Sequence, residues 1–440
     1  MTDVRLFSLV FYLLFMHLNC KGADNNLVTH LQSKAIIFDK ISDIDHVIGI
    51  AADKRLVLMG EASHGTHEYY VWRDSISREL ISRHGFQFIA VEGDWASLYE
   101  LNRYVKNMPG AAQNAGEVLK GLDRWPQWMW GNEEVMALAE WLRDYNDGRP
   151  ESLKVGFYGM DVYDEWRSKD ALLSILQHSA PDLYIQAREH LECFSLFERD
   201  SWLYARSVAS GVSDCSERMA ELVALIEEER SALDGLSDYE YVNLLQNAMV
   251  FKNAEKFYRK TTTRRDASSW NSRATHMHKT VGRLLDLYGE EAQGIVWAHN
   301  THIGDARYTD MAGLNQVNIG QLSREQHGEE NIFLIGFGTF RGTVQAGSSW
   351  GSRRQKMRIP RAISGSFEKM CYNTGLDQFL LHFDDDDRNH PEFTKAIGNR
   401  AIGVVYNPQN DFRQFVRTVV PYRYDAFMYF EETNALRPLH

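Results

Sequence analysis

Cysteine is scarce. The 440 residues hold four, Cys20, Cys193, Cys215 and Cys371, too few for a disulfide framework or a Cys-x-x-Cys metal site. Cys193 and Cys215 are open to pairing within one helical stretch if the chain is exported. Proline is thin as well, at nine residues, and neither an internal repeat nor a low-complexity linker divides the chain. A positive excess is also missing: 60 Asp and Glu against 48 Lys and Arg give a formal charge of −12. With no basic cluster in the sequence as a whole, nucleic acid is not an expected partner. Long apolar runs are absent beyond one, residues 6–18, which follows Arg5. That run is too short to span a bilayer comfortably and about right for the core of a signal peptide; the alternative is a buried N-terminal helix. Residues 1–22 are therefore expected to be a signal segment and the protein to be exported, periplasmic or secreted. Cys20 leaves a membrane tether open, although Asn19 stands where a lipid-attachment site wants a small residue.

What is present is enough apolar material for a large core, 44% hydrophobic and 12% aromatic. The run Leu56-Val57-Leu58-Met59 has the character of a buried strand, and it stops on the polar, Gly-flanked turn Gly60-Glu61-Ala62-Ser63-His64-Gly65-Thr66. Thr66 is placed to cap a helix over 67–84, with Gly85 as its stop. Further strands are expected at 86–91, ending on Glu92; at 154–160, ending on Asp161; at 294–298, followed by His299-Asn300-Thr301-His302; and at 332–340. Weaker strand signals fall at 379–383, 402–406 and 427–430, with a solvated acidic turn at 384–387. From about 167 to 288 the periodicity is helical throughout, which predicts a helical subdomain forming an insertion or lid. The order of elements makes residues 23–440 one α/β domain with a mainly parallel sheet.

Parallel sheets place ligands beyond the carboxyl ends of their strands. Glu61, His64, Glu92, Asp161, His299 and His302 would converge there, with Glu61 and Glu92 side by side on adjacent strands. Near the last helix, Arg264, Arg265, Arg273 and His276 form either a solvated basic face or an anion-binding one. Trp125, Trp128 and Trp130 line a pocket mouth or pack a helix start.

Three chemistries are open to this set. A serine nucleophile at Ser63 would need Gly where Glu61 stands. A zinc site is conceivable from His299-x-x-His302 with Glu61, His64 and Glu92, but the pair falls on a strand-to-loop turn, so its geometry is not preset. In the third, a His polarised by a carboxylate activates water while a second His or Arg steadies the oxyanion.

The motif at 60–66, together with Val91-Glu92-Gly93-Asp94-Trp95, Tyr158-Gly159-Met160-Asp161, Ala298-His299-Asn300-Thr301-His302 and Asn318-Ile319-Gly320-Gln321, resembles in order the motifs of the erythromycin esterase family. The likeness reaches Tyr424-Asp425-Ala426-Phe427 near the end of the chain. It implies a three-layer α/β/α core with a helical part closing over the cleft. It also implies opening of a macrolide lactone, of the 14-membered erythromycin type, by water activated on His64, without metal, cofactor or covalent intermediate. Glu61 would be the acidic partner of His64, Glu92 the second carboxylate, and His299 and His302 the paired histidines. Arg73, His302 and Asp161 are expected to bind a small ester or lactone. Two stretches depart from the dedicated resistance enzymes: residues 125–132 and Gly65-Thr66-His67-Glu68 look more like the broader branch of the family. Arg273 is followed by Ala274 where an acidic residue is often found in relatives. The resemblance leaves two other readings, a metal-dependent hydrolase of another ester and a non-catalytic protein linked to exopolysaccharide production.

Overall fold

Leu56 to Met59 are all fully buried, so both faces of this short run need cover. A parallel strand between two helical layers supplies it. The computed structural model describes residues 26–197, 199–264 and 266–439, leaving the expected signal segment and Arg265 outside. Among the described residues, no helix is long and apolar enough to cross a membrane.

The strands are β1 (Ile36–Ile37), β2 (Leu56–Met59), β3 (Phe88–Asp94), β4 (Gly156–Asp161), β5 (Gly294–Trp297), β6 (Ile332–Gly347), β7 (Arg354–Ile359), β8 (Gln378–His382), β9 (Ile397–Arg400), β10 (Phe415–Thr418) and β11 (Ala426–Thr433). The main sheet runs β1-β8-β11-β6-β2-β5-β3-β4, with β7 hairpinned onto the far end of β6. From β11 across to β4 every neighbouring pair is parallel, and antiparallel strands occupy only the margin and the hairpin. β9 and β10 form a separate antiparallel pair.

Successive side chains of a strand face opposite sides, and the core divides accordingly. Val57, Met59, Ile89, Val91, Ile295 and Trp297 pack on one face against helices His67–His84, Trp95–Val105 and Glu133–Asn146. Leu56, Leu58, Phe88, Ala90 and Val296 pack on the other, against Met277, Val281 and Leu284 of helix Ser268–Tyr288. This is the three-layer α/β/α arrangement. Helices between Glu165 and Thr263 gather a further core of their own, including Leu172, Met219, Leu222, Leu244 and Phe251. Cys193 and Cys215 are disulfide-bonded within that bundle, their Cα atoms 6.0 Å apart.

Three expectations are corrected. β2 and β3 are not neighbours, because β5, more than 200 residues further along, lies between them. Residues 402–406 are not a strand: Ile402 and Val405 make single bridges, to Ser63 and to Gly347, as the chain crosses the ends of other elements. Residues 384–387 are solvated as expected at Asp384, Asp385 and Asp386, but they open a short helix capped by Asp384, and Asp387 is buried 2.6 Å from the His30 imidazole.

Candidate active site

The register of the sheet builds the site. Met59 stands opposite Trp297, Trp297 opposite Val91 and Val91 opposite Gly159. These residues lie at one level of the sheet, and just beyond it Glu61 and His299, which follow β2 and β5, emerge at one edge with Glu92 and Asp161 from the last residues of β3 and β4.

The turn after β2 is held tightly. Gly65 lies against β6, where a Cβ would come 2.0 Å from the Gln345 carbonyl oxygen, so no other residue fits without moving backbone. Ser63 is buried, with its hydroxyl bonded to that of Thr66, and does not line the cleft. That is turn structure, as expected for a serine with no part in the chemistry. Within the turn, His64 Nδ1 lies 2.8 Å from Glu61 Oε1. An ionised carboxylate can only accept, so Nδ1 carries the proton and Nε2, which has no hydrogen-bond partner among the described residues, is left as the basic nitrogen. Arg73 donates to the other Glu61 oxygen at 2.9 Å. Its guanidinium is fully buried over the rings of Tyr70 and Trp297, at 4.2 and 4.8 Å. Arg73 therefore does not reach the cleft as an expected substrate contact; it sits behind Glu61 and orients that carboxylate. The Tyr70 hydroxyl adds a tie to the carbonyls of His64 and Met129, at 3.1 and 3.0 Å.

Burial works against a charge on His64, but the Glu61 hydrogen bond and the carboxylates of Glu92 and Glu61 outweigh it and raise its pKa above the ordinary 6.5. Facing it, with ring centroids 4.9 Å apart, is His299. His299 Nδ1 accepts from the Thr301 backbone N–H at 3.3 Å and lies 2.8 Å from its hydroxyl. The proton is thereby assigned to Nε2, which is buried and unpartnered. Burial, then the nearby charge of His64, hold His299 well below the usual histidine range against the opposing pull of Glu92 and the Ala62 carbonyl, so it is neutral.

Glu92 is consumed by its neighbours. One oxygen accepts from the His299 backbone N–H at 2.9 Å, and the other takes Arg273 Nη2 at 2.8 Å with His302 Nε2 at 3.2 Å. Arg273 also forks onto Asp161 through Nε and Nη2, at 2.8 and 2.6 Å. Burial would raise both carboxylates, yet His302 with Arg273 holds Glu92 well below the carboxylate range, and Arg273 lowers Asp161. His302 stacks on Trp270 with centroids 4.7 Å apart and lies 3.1 Å from Arg273 Nη1.

Of the two readings of the basic stretch, Arg273 takes the anion-binding one, and its anions are the protein's own carboxylates Glu92 and Asp161. Of the expected basic face, Arg264 is exposed, but Arg273 and His276 turn inward. His276 is pushed down to about 3 by burial, then by Arg283, and bonds the Asp161 carbonyl at 3.2 Å. The signal was present: Trp270, Arg273, Met277 and Val281 follow one helical stripe, and an arginine on an apolar stripe must be buried with anions.

His64, Glu92, Asp161, Arg273, His299 and His302 floor a cleft of about 410 Å³, whose mouth is apolar and aromatic with Leu122, Pro126, Val404 and Trp350. Both readings of the tryptophan stretch apply. Trp128 and Trp130 are buried, Trp130 donating to the Glu92 carbonyl at 3.1 Å, while Trp125 stands 4.7 Å from Trp350. Beside them Arg124 clamps Asp94 at 2.5 and 2.7 Å. Among the described residues no set of three or more His, Cys, Asp or Glu is arranged to hold a metal ion.

The erythromycin esterase family model matches residues 81–433. The chain belongs to the erythromycin esterase family. The match takes in Glu92, Asp161, Arg273, His299 and His302, with the Glu61–His64 turn lying just before its start. An Escherichia coli relative, erythromycin esterase type II, is 22% identical over 380 residues, covering 82% of this chain and 87% of that protein. Among solved structures, a Bacillus cereus protein is similar with a TM-score of 0.77 at 19% identity, covering 95% of this chain and 99% of its own. A succinoglycan biosynthesis protein is similar with a TM-score of 0.73 at 21% identity, covering 94% and 98%. A mutant erythromycin esterase in its open conformation has a TM-score of 0.65 at 14% identity, covering 92% and 96%. These three share the α/β fold of this family member.

Proposed function

We propose that this erythromycin esterase family member is a metal-independent ester hydrolase that opens macrolide lactones of the 14-membered, erythromycin-like kind. The observation that carries the reading is the Glu61–His64 pair, which leaves an unpartnered ring nitrogen on the cleft floor opposite His299. His64 Nε2 removes a proton from a water as its oxygen attacks the ester carbonyl carbon. The carbonyl oxygen becomes an oxyanion, met by the His299 Nε2–H and the field of Arg273. Collapse expels the alkoxide, which takes the proton back from His64, leaving an alcohol and a carboxylic acid in one ring-opened product; the acid then gives its proton to solvent and becomes a carboxylate.

Glu92 and Asp161 enter this scheme as anchors, since their oxygens are already spent on Arg273, His302 and the His299 backbone. A divalent cation placed among them would stand against a buried guanidinium, which favours the metal-free route. Size and polarity support the substrate: a cleft of about 410 Å³ with an apolar mouth suits a large lactone ring.

The test is mass. Incubation with a 14-membered macrolide should give a product heavier by one water, unaffected by a chelator, and His64→Ala should cut the rate by roughly 10²–10⁴-fold. No mass change with any macrolide removes the substrate assignment; loss of activity on chelation with recovery on adding zinc removes the metal-free mechanism.

A further inference from the structure

The overall acidity hides one local exception. Residues 342–367 contain no Asp or Glu and five cations, Arg353, Arg354, Lys356, Arg358 and Arg361. The cations begin in the hairpin between β6 and β7, which faces a second cavity of about 350 Å³. Its opposite wall is Trp125, Gln127 and Trp128, and Gln127 also lines the catalytic cleft. Between the two spaces stands an aromatic pair: Trp350, 62% exposed on the hairpin and lining the catalytic cleft, against the Trp125 ring.

Two polar atoms in this wall are unsatisfied. Trp128 is only 1% exposed, yet its indole N–H has no partner among the described residues, and the amide oxygen Oε1 of Gln127, an acceptor, has none there either. Buried donors without acceptors are rare because nothing repays their lost hydration. Arg353, on the facing side, makes no hydrogen bond or ion pair among the described residues. An indole N–H and a guanidinium around one hollow are the donors an oxyanion requires, and the aromatic pair beside them offers flat apolar faces.

We propose that this cavity is a subsite for a carboxylate at the far end of an elongated ester, whose reacting bond lies over His64 while its middle rests on Trp125 and Trp350. The substrate half of this assignment rests on the hydrolase reading; the anion half stands without it.

Two measurements test it. In the first, 4-nitrophenyl esters of ω-carboxyalkanoic acids of increasing length are compared with esters of the equally long neutral acids. At one length the acidic ester should have a kcat/KM about tenfold or more above its neutral partner, as expected of a charge-assisted hydrogen bond. That ratio should fall towards one in Arg353→Glu and in Trp128→Phe, which keeps an aromatic ring and removes the N–H; general damage would lower both esters and leave the ratio. In the second, calorimetry follows binding of the dicarboxylate of that length to the His64→Ala protein, expected to weaken in high salt and by about tenfold in Arg353→Glu. Ratios near one at every length, with no calorimetric binding, overturn the proposal. Inorganic phosphate binding that depends on Trp128, without any advantage for the tethered acid, overturns the substrate assignment in favour of a free-anion site. Dicarboxylate binding sensitive to both substitutions, with no ester turned over, leaves the subsite standing and ends the hydrolase reading instead.

Discussion

His64 is asked to do two opposed things, to be neutral as a base and to sit beside carboxylates that favour its cation. The balance sets a pH dependence with a definite sign. Because Glu61 and Glu92 raise its pKa above 6.5 in the folded chain, the ion pair contributes stability at pH below that of an exposed histidine and loses it as pH climbs through the folded value. Turnover runs the other way, appearing as the proton leaves. We expect kcat/KM to rise along a single limb with its midpoint above 6.5, and Glu61→Gln, which removes the charge, to shift that midpoint to lower pH while reducing the plateau. An unmoved midpoint would mean that another group titrates. Glu61 and His64 are legible in the sequence because four consecutive residues of one turn carry both partners. The inward turn of Arg273 is legible in its apolar stripe, but its partners are not, since Glu92 and Asp161 are 181 and 112 residues away and only the fold brings them to its guanidinium.

At the level of elements, the recoverable part was the strand ends. Each short apolar run stops on a charged or imidazole side chain, and period and terminus together locate β2, β4 and β5 within two residues and β3 within three. Their order across the sheet was not recoverable, because a buried parallel strand such as Val57 to Met59 is apolar on both faces and says nothing about which neighbour it prefers. The hairpin strand β7 is not legible in the sequence, because its charged residues hide the alternation with Met357 and Ile359. The turn after β2 allows a sharp test. Gly65→Ala puts a methyl group against the Gln345 backbone, which has no flexible side chain to yield. We expect a loss of about 1–3 kcal/mol or more in denaturant unfolding, together with a disproportionate fall in kcat as His64 is displaced. A glycine in open space, Gly49, serves as the control and should tolerate alanine in both measurements.

The whole molecule has two kinds of core, one on each face of the sheet and one inside the helical bundle between Glu165 and Thr263. The disulfide belongs to the second kind. Closing a loop of 22 residues in the unfolded chain, it should contribute about 3 kcal/mol, and Cys193→Ala with Cys215→Ala should lower the unfolding temperature of the bundle in calorimetry. Because neither cysteine lines the cleft, kcat at low temperature should hardly change.

The place of β5 has a consequence for how the protein comes into being. A ribosome delivers β2, β3 and β4 long before it reaches Gly294, yet β2 and β3 meet only through that late strand. Until it arrives, the first half of the chain leaves both edges of β2 and one edge of β3 unpaired and cannot close its catalytic floor, because His299 and His302 follow directly behind. A nascent chain of this design has no working half-enzyme to fold early, and it should depend on chaperones or delayed folding through most of its translation.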